Sequence, residues 1–136
     1  MATALAGEDA DLERRVRLHR ARRPVGWGTL EIGALSEVLE VADDWEAVLL
    51  DSLTLWVSAQ VGDEEETLEE FERFLEGAEA LARPLILVSD EVGFGVVPES
   101  VAGRKFRDVL GLVNQRAAAA AQEVHLCVAG LGIRIK

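Results

Sequence analysis

Pro84-Leu85-Ile86-Leu87-Val88-Ser89-Asp90-Glu91 is a proline followed by four apolar residues, closed by a hydroxyl and two acids. A run this short, apolar without alternation and bounded by a breaker, reads as a strand buried on both faces, as in a parallel sheet. Ala47-Val48-Leu49-Leu50-Asp51 repeats the pattern upstream, and again an acid follows the last leucine. Between the two runs, residues 67–82 carry Leu68, Phe71, Leu75, Ala78 and Leu81 or Ala82 at helical spacing, one apolar face of an amphipathic helix. Parallel strands need such a crossover, so the two strands and the helix support one another as a reading.

Outward from this core the alternation continues. A helix over 53–61 follows the first strand, and Asp63-Glu64-Glu65-Glu66 reads as an acidic loop before the next helix. Upstream, 34–42 reads as a short helix, 27–32 as a short strand, and 8–22 as a helix with Leu12, Val16 and His19 on one stripe. Downstream come a glycine-rich segment at 91–98, a long helix at 101–121 and two strands at 124–129 and 132–135. The expected class is α/β: a mostly parallel sheet with helices on both faces, in one domain over residues 1–136.

Composition narrows the function. A net charge of −11 argues against general nucleic-acid binding, which needs a basic footprint. The apolar runs are far too short to cross a bilayer, and Glu8, Asp9 and Asp11 stand where a signal peptide would be basic and then apolar. The expectation is a cytoplasmic protein. Cys127 is the single cysteine, so no intrachain disulfide forms; a thiol in an apolar run reads as a small core residue. Against the acidic background, six of the fourteen basic residues fall between Arg14 and Arg23. Two readings fit that island: a site for a small polyanion, or a solvated helix face paired with Glu8, Asp9 and Glu13.

Three features could carry chemistry. First, ligands of open parallel sheets bind beyond the carboxyl ends of the strands, where Asp51 and Asp90-Glu91 stand. An apolar strand ending in Asp suits an acid that holds magnesium in phosphate-loop enzymes; equally, it can cap the next helix. Second, Glu91-Val92-Gly93-Phe94-Gly95-Val96-Val97-Pro98 sets Gly93 and Gly95 around an aromatic and closes on proline, a shaped loop able to bring backbone close to a ligand. It lacks the G-x-G-x-x-G spacing of a dinucleotide fingerprint. Third, His19 faces inward with Val16 and Leu12 among arginines. That is the position of a core histidine, but surrounding guanidinium groups disfavour imidazolium and leave a neutral, nucleophilic ring. His125, within a strand, reads as structural.

Together these residues resemble the bifunctional adenosylcobinamide kinase and adenosylcobinamide-phosphate guanylyltransferase family. Ser89 to Glu99 resembles that family's E-V-G-x-G-x-V-P-E signature. Phe106-Arg107-Asp108 and Val113-Asn114-Gln115-Arg116 resemble its F-R-D and V-N-Q-R blocks, and Gly130 to Lys136 its C-terminus. His19 with Arg23-Pro24 and Trp27 resembles its H-x-x-x-R-P-x-x-W segment, Met1 to Ala4 the end of its second strand, and Asp51 to Trp56 the segment after its third.

The resemblance implies two reactions: phosphorylation of adenosylcobinamide by a nucleoside triphosphate, then transfer of GMP from GTP through a guanylylated histidine, which falls on His19. It implies nucleotide contacts at Thr3, Ala4, Arg20, Ala21, Arg22, Arg23, Glu31 and Asp51, with Asp51 the protein-side partner of Mg2+. Glu91, Gly93 and Gly95 are further site candidates. Adenosylcobinamide, GTP and ATP are the implied substrates and a homo-oligomer, trimers among them, the implied assembly. The implied fold is phosphate-loop NTPase-like. Two departures stand out. Asp90 replaces an asparagine common before the signature glutamate. No G-x-x-x-x-G-K-S-type loop occurs, since neither Lys105 nor Lys136 follows such glycines. The expectation is therefore an N-terminally incomplete domain lacking the first strand and phosphate loop. The alternative function is a non-catalytic relative that binds nucleotide or corrinoid.

Overall fold

The computed structural model describes residues 26–60 and 64–136. The helix expected over 8–22 lies outside them. The chain enters through an extended segment, 27–32, in which only Glu31 forms an isolated bridge, so the strand expected there is not a strand of the sheet. Ile32 alone of that stretch is buried. Glycine at 28 lets the segment lie against an indole, since a Cβ there would come within 2.1 Å of Trp45 Cη2.

Helix α1 (Ser36–Val41) runs into a 3-10 turn, Ala42–Asp44. Glu37 organises its entry by accepting from Gly33 N at 3.0 Å and Ala34 N at 2.8 Å. Strand β1 (Val48–Asp51) leads into α2 (Leu53–Ala59), where Ser52 caps the helix by accepting from Leu55 N at 3.3 Å. Helix α3 (Glu64–Glu79) begins earlier than its apolar spacing suggests. Glu64, Glu65 and Glu66 form its first turn, where acids suit the positive end of the helix dipole, and are not a loop. Asp63 lies outside the described residues. Strand β2 (Leu85–Val88) and α4 (Val101–Ala120) follow, the latter capped by Ser100 accepting from Gly103 N at 3.0 Å.

β1 and β2 pair in parallel with Val48 opposite Leu85 and Asp51 opposite Val88. One buried cluster takes Val48 and Leu50 from β1 and residues from every one of α1 to α4. Phe71 sits at its centre, 5.9 Å from the Trp56 ring and 6.0 Å from Phe74. Side chains alternate across a strand, so Leu85 and Leu87 pack on this cluster while Ile86 and Val88 face away, 51% and 37% exposed. Among the described residues the parallel sheet is thus two strands covered on one face.

The C-terminal strands, β3 (His125–Val128) and β4 (Leu131–Arg134), form a separate antiparallel hairpin. Its turn residues Ala129 and Gly130 both have positive φ, 52° and 79°, as a two-residue type I′ turn requires. Lys136 Nζ ties the hairpin to α4 by donating to the carbonyls of Ala118 and Ala119, at 2.9 Å each, which lack helical partners at a C-terminus. Among the described residues little packs on the hairpin. Cys127 is exposed there, which corrects the expectation of a core thiol.

Candidate functional site at the carboxyl edge of the parallel strands

Because β1 and β2 are parallel and in register from Val48–Leu85 to Asp51–Val88, both chains leave the sheet at the same edge. Asp51, the last residue of β1, is half-buried there. Ser52 is buried and spends its hydroxyl on capping α2. The cap is therefore Ser52 and not Asp51, which leaves the Asp51 carboxylate out of the capping role that the sequence allowed it.

The glycine-rich segment leaves β2 at this edge as an irregular loop, 89–100, leading to α4. Three hydrogen bonds fasten its start. Thr54 Oγ1, in the first turn of α2, accepts from Asp90 N at 2.9 Å. Asn114 Nδ2, on α4, donates to Asp90 O at 3.0 Å, and Ser89 Oγ donates to Asn114 Oδ1 at 2.6 Å. The segment after β1 and the segment after β2 are thereby joined. Arg104 Nη1 fastens the far end, donating to Pro98 O at 3.0 Å and Glu99 O at 2.6 Å. Between the fastenings, Val92 packs on the core, while Phe94 and Val96 are 84% and 94% exposed.

Glu91 folds back so that its carboxylate accepts from Gly93 N at 2.5 Å. A Cβ on Gly93 would stand 2.7 Å from that carboxylate oxygen, so the glycine makes room for Glu91. Gly95 is different: open space surrounds it and nothing in its surroundings requires a glycine.

Of the residues singled out in sequence, Asp51, Glu91, Gly93 and Gly95 therefore share one edge. Glu31 lies in the exposed segment before α1, on neither strand end. Thr3, Ala4, His19, Arg20, Ala21, Arg22 and Arg23 lie outside the described residues. Thr54, Ser89 and Asn114, which join the two strand ends, each fall in a block that resembles the family but were not named as site residues; Asn114 carried a further signal, a lone asparagine flanking the apolar face of a helix. His125 pairs with Glu123 at 3.2 Å on the hairpin.

Asp51, Asp90 and Glu91 make the edge acidic, so a polyanion binds there only with countercharge. Magnesium suits such a donor set, because it takes one or two carboxylates and completes its shell with phosphates and water. Among the described residues no group of three or more acids, histidines or cysteines converges into an all-protein metal cage. No helix of the described residues is long and apolar enough to cross a membrane.

Fold and site together define an α/β domain that presents acids and a shaped loop at the carboxyl edge of parallel strands, where such sheets take their ligands. The chain belongs to the cobinamide kinase / cobinamide phosphate guanyltransferase (CobU) family, whose profile matches residues 1–135. It is 38% identical over 140 positions to the bifunctional adenosylcobalamin biosynthesis protein CobP of Pseudomonas aeruginosa, covering 100% of this chain and 80% of that protein. It is 35% identical over 145 positions to CobU of Escherichia coli K12, also a bifunctional adenosylcobalamin biosynthesis protein, covering 94% and 80%. The CobU of Salmonella typhimurium is 34% identical with the same coverage.

Proposed function

We propose that this chain phosphorylates the aminopropanol hydroxyl of adenosylcobinamide and then joins GMP from GTP to that phosphate. Family membership across residues 1–135 carries the reading. The meeting of the two strand-end segments at Asp90 supports it. In the first reaction the substrate hydroxyl attacks the γ-phosphorus, loses its proton, and the nucleoside diphosphate leaves. In the second, a neutral His19 nitrogen attacks the α-phosphorus of GTP; an N–P bond forms, the P–O bond to pyrophosphate breaks, and the other ring nitrogen sheds its proton. An oxygen of adenosylcobinamide phosphate then attacks the same phosphorus, the N–P bond breaks, and the ring regains a proton.

Arg20, Arg22 and Arg23 stabilise charge developing on the phosphoryl oxygens, which is where preorganised cations contribute most. Thr3, Ala4, Ala21 and Glu31 complete the nucleotide contacts. Asp51 is the residue that would hold magnesium, which would supply positive charge to offset that of the phosphates. Glu91, with Gly93 and Gly95, shapes the adjoining loop. In this reading the parallel pair belongs to a phosphate-loop NTPase-like sheet. The exposed apolar residues Ile86 and Val88 favour the homo-oligomer, which light scattering tests.

A second reading is binding of nucleotide or corrinoid without catalysis. Labelled GTP separates the two. A histidine phosphoramidate is labile to acid and stable to alkali, so the transfer reading expects label on the protein with that profile. It expects none in His19→Ala. Label that persists undiminished in His19→Ala rejects the assignment, and GTP that binds without labelling the protein selects the second reading.

A further inference from the structure

Asn114 is the single asparagine of the chain. On α4 it follows Val113 and stands four residues after Leu110, both fully buried, so it flanks the core-facing stripe. A polar side chain at such a position needs partners, and it has them. Its Oδ1 accepts from Ser89 Oγ at 2.6 Å and its Nδ2 donates to Asp90 O at 3.0 Å. Asp90 N in turn donates to Thr54 Oγ1 at 2.9 Å. The two residues through which β2 becomes a loop are therefore held from α4 on one side and from α2 on the other.

We propose that Asn114 is a positioning residue, which sets the angle at which the Glu91 loop leaves β2 and so prepares it for substrate at the carboxyl edge. The proposal rests on the function argued above. An amide is what the position calls for, because it accepts from one residue and donates to the next through atoms in one plane. Aspartate has the same shape and still accepts from Ser89, but it turns an oxygen toward the Asp90 carbonyl. The substitution Asn114→Asp thus replaces one attraction by a repulsion and leaves packing unchanged. The exit of the loop is fastened separately by Arg104, and Val92 keeps its core contact, so the loop should loosen at its start without detaching.

The test is hydrogen exchange on the full chain, wild type against Asn114→Asp and Thr54→Val, with equilibrium binding of magnesium-GTP and of adenosylcobinamide measured on each. We expect amides of residues 90–95 to exchange about tenfold faster in Asn114→Asp, the scale of one lost hydrogen bond, while amides of 109–113 stay at wild-type rates. Affinity for at least one of the two ligands should fall by a similar factor. Thr54→Val, which removes only the second fastening, should shift the same amides in the same direction. Unchanged exchange at 90–95 overturns the proposal. So does equal acceleration in 109–113, which would mean global destabilisation, or a loosened loop with both affinities intact. A wild-type chain that binds neither ligand refutes the functional reading instead, and with it the substrate part of this proposal; the exchange result then still decides whether Asn114 anchors the loop.

Discussion

Of the four phenylalanines in the chain, Phe71 and Phe94 occupy opposite environments, and truncating each to alanine tests the fold directly. Phe71 is fully buried, and its ring contacts Trp56 and Phe74 at centroid separations of 5.9 and 6.0 Å. It also joins α3 to α2 through Trp56, inside a buried cluster that draws on all four helices and β1, so the surroundings have little freedom to close over a void. Phe71→Ala should cost about 3–5 kcal/mol, the range for a large aromatic removed from a packed core. A domain of this size is stable by only about 5–15 kcal/mol, so the variant stays folded with a thin margin or unfolds outright. With a urea slope of roughly 2 kcal/mol per M, the midpoint should fall by about 2 M. Phe94→Ala removes a ring that is 84% exposed and should change stability by less than about 0.5 kcal/mol. Urea denaturation followed by tryptophan fluorescence reads both, since Trp56 sits against Phe71. A Phe71→Ala midpoint within about 0.5 M of wild type, or a Phe94→Ala loss equal to it, would refute the packing described here.

Two further substitutions probe local contacts. Gly111→Ala, in open space on α4, should gain about 0.5–1 kcal/mol from helix propensity, whereas Gly77→Ala on α3 should gain nothing or lose stability, because its Cβ would come within 2.4 Å of Leu39 Cδ1; thermal melts of the two side by side show whether α1 packs on α3 as described. Ser100→Ala removes the cap of α4 and should cost about 1 kcal/mol, read as a lowered melting temperature and faster exchange of the Gly103 amide.

The sequence by itself determined the order and kind of most elements, and the reason is local. Val48–Asp51 and Leu85–Val88 are short apolar runs closed by breakers, and α3 and α4 are long enough for a 3.6-residue period to show. The same local logic exposed the signature loop, because two glycines and a proline punctuate it whatever surrounds them. Membership in the family followed from such blocks of residues. Tertiary structure decided what depends on neighbours. Whether a strand is covered on one face or two is a property of the layers around it, so Ile86 and Val88 read as buried in sequence and are exposed among the described residues. Segment 27–32 has strand-like residues but only an isolated bridge, and Cys127 has core-like neighbours in sequence but a hairpin that little packs upon. Phe74 joins the core although Leu68 and Leu75 mark the helical stripe more plainly, since the width of a buried face is set by the helix packed against it. The fastening of Asp90 by Thr54 and Asn114, 36 and 24 residues away, could be seen only once β1, β2 and α4 had met. A hydrogen bond across such separations leaves no period in the chain; it exists because the fold closes the distance.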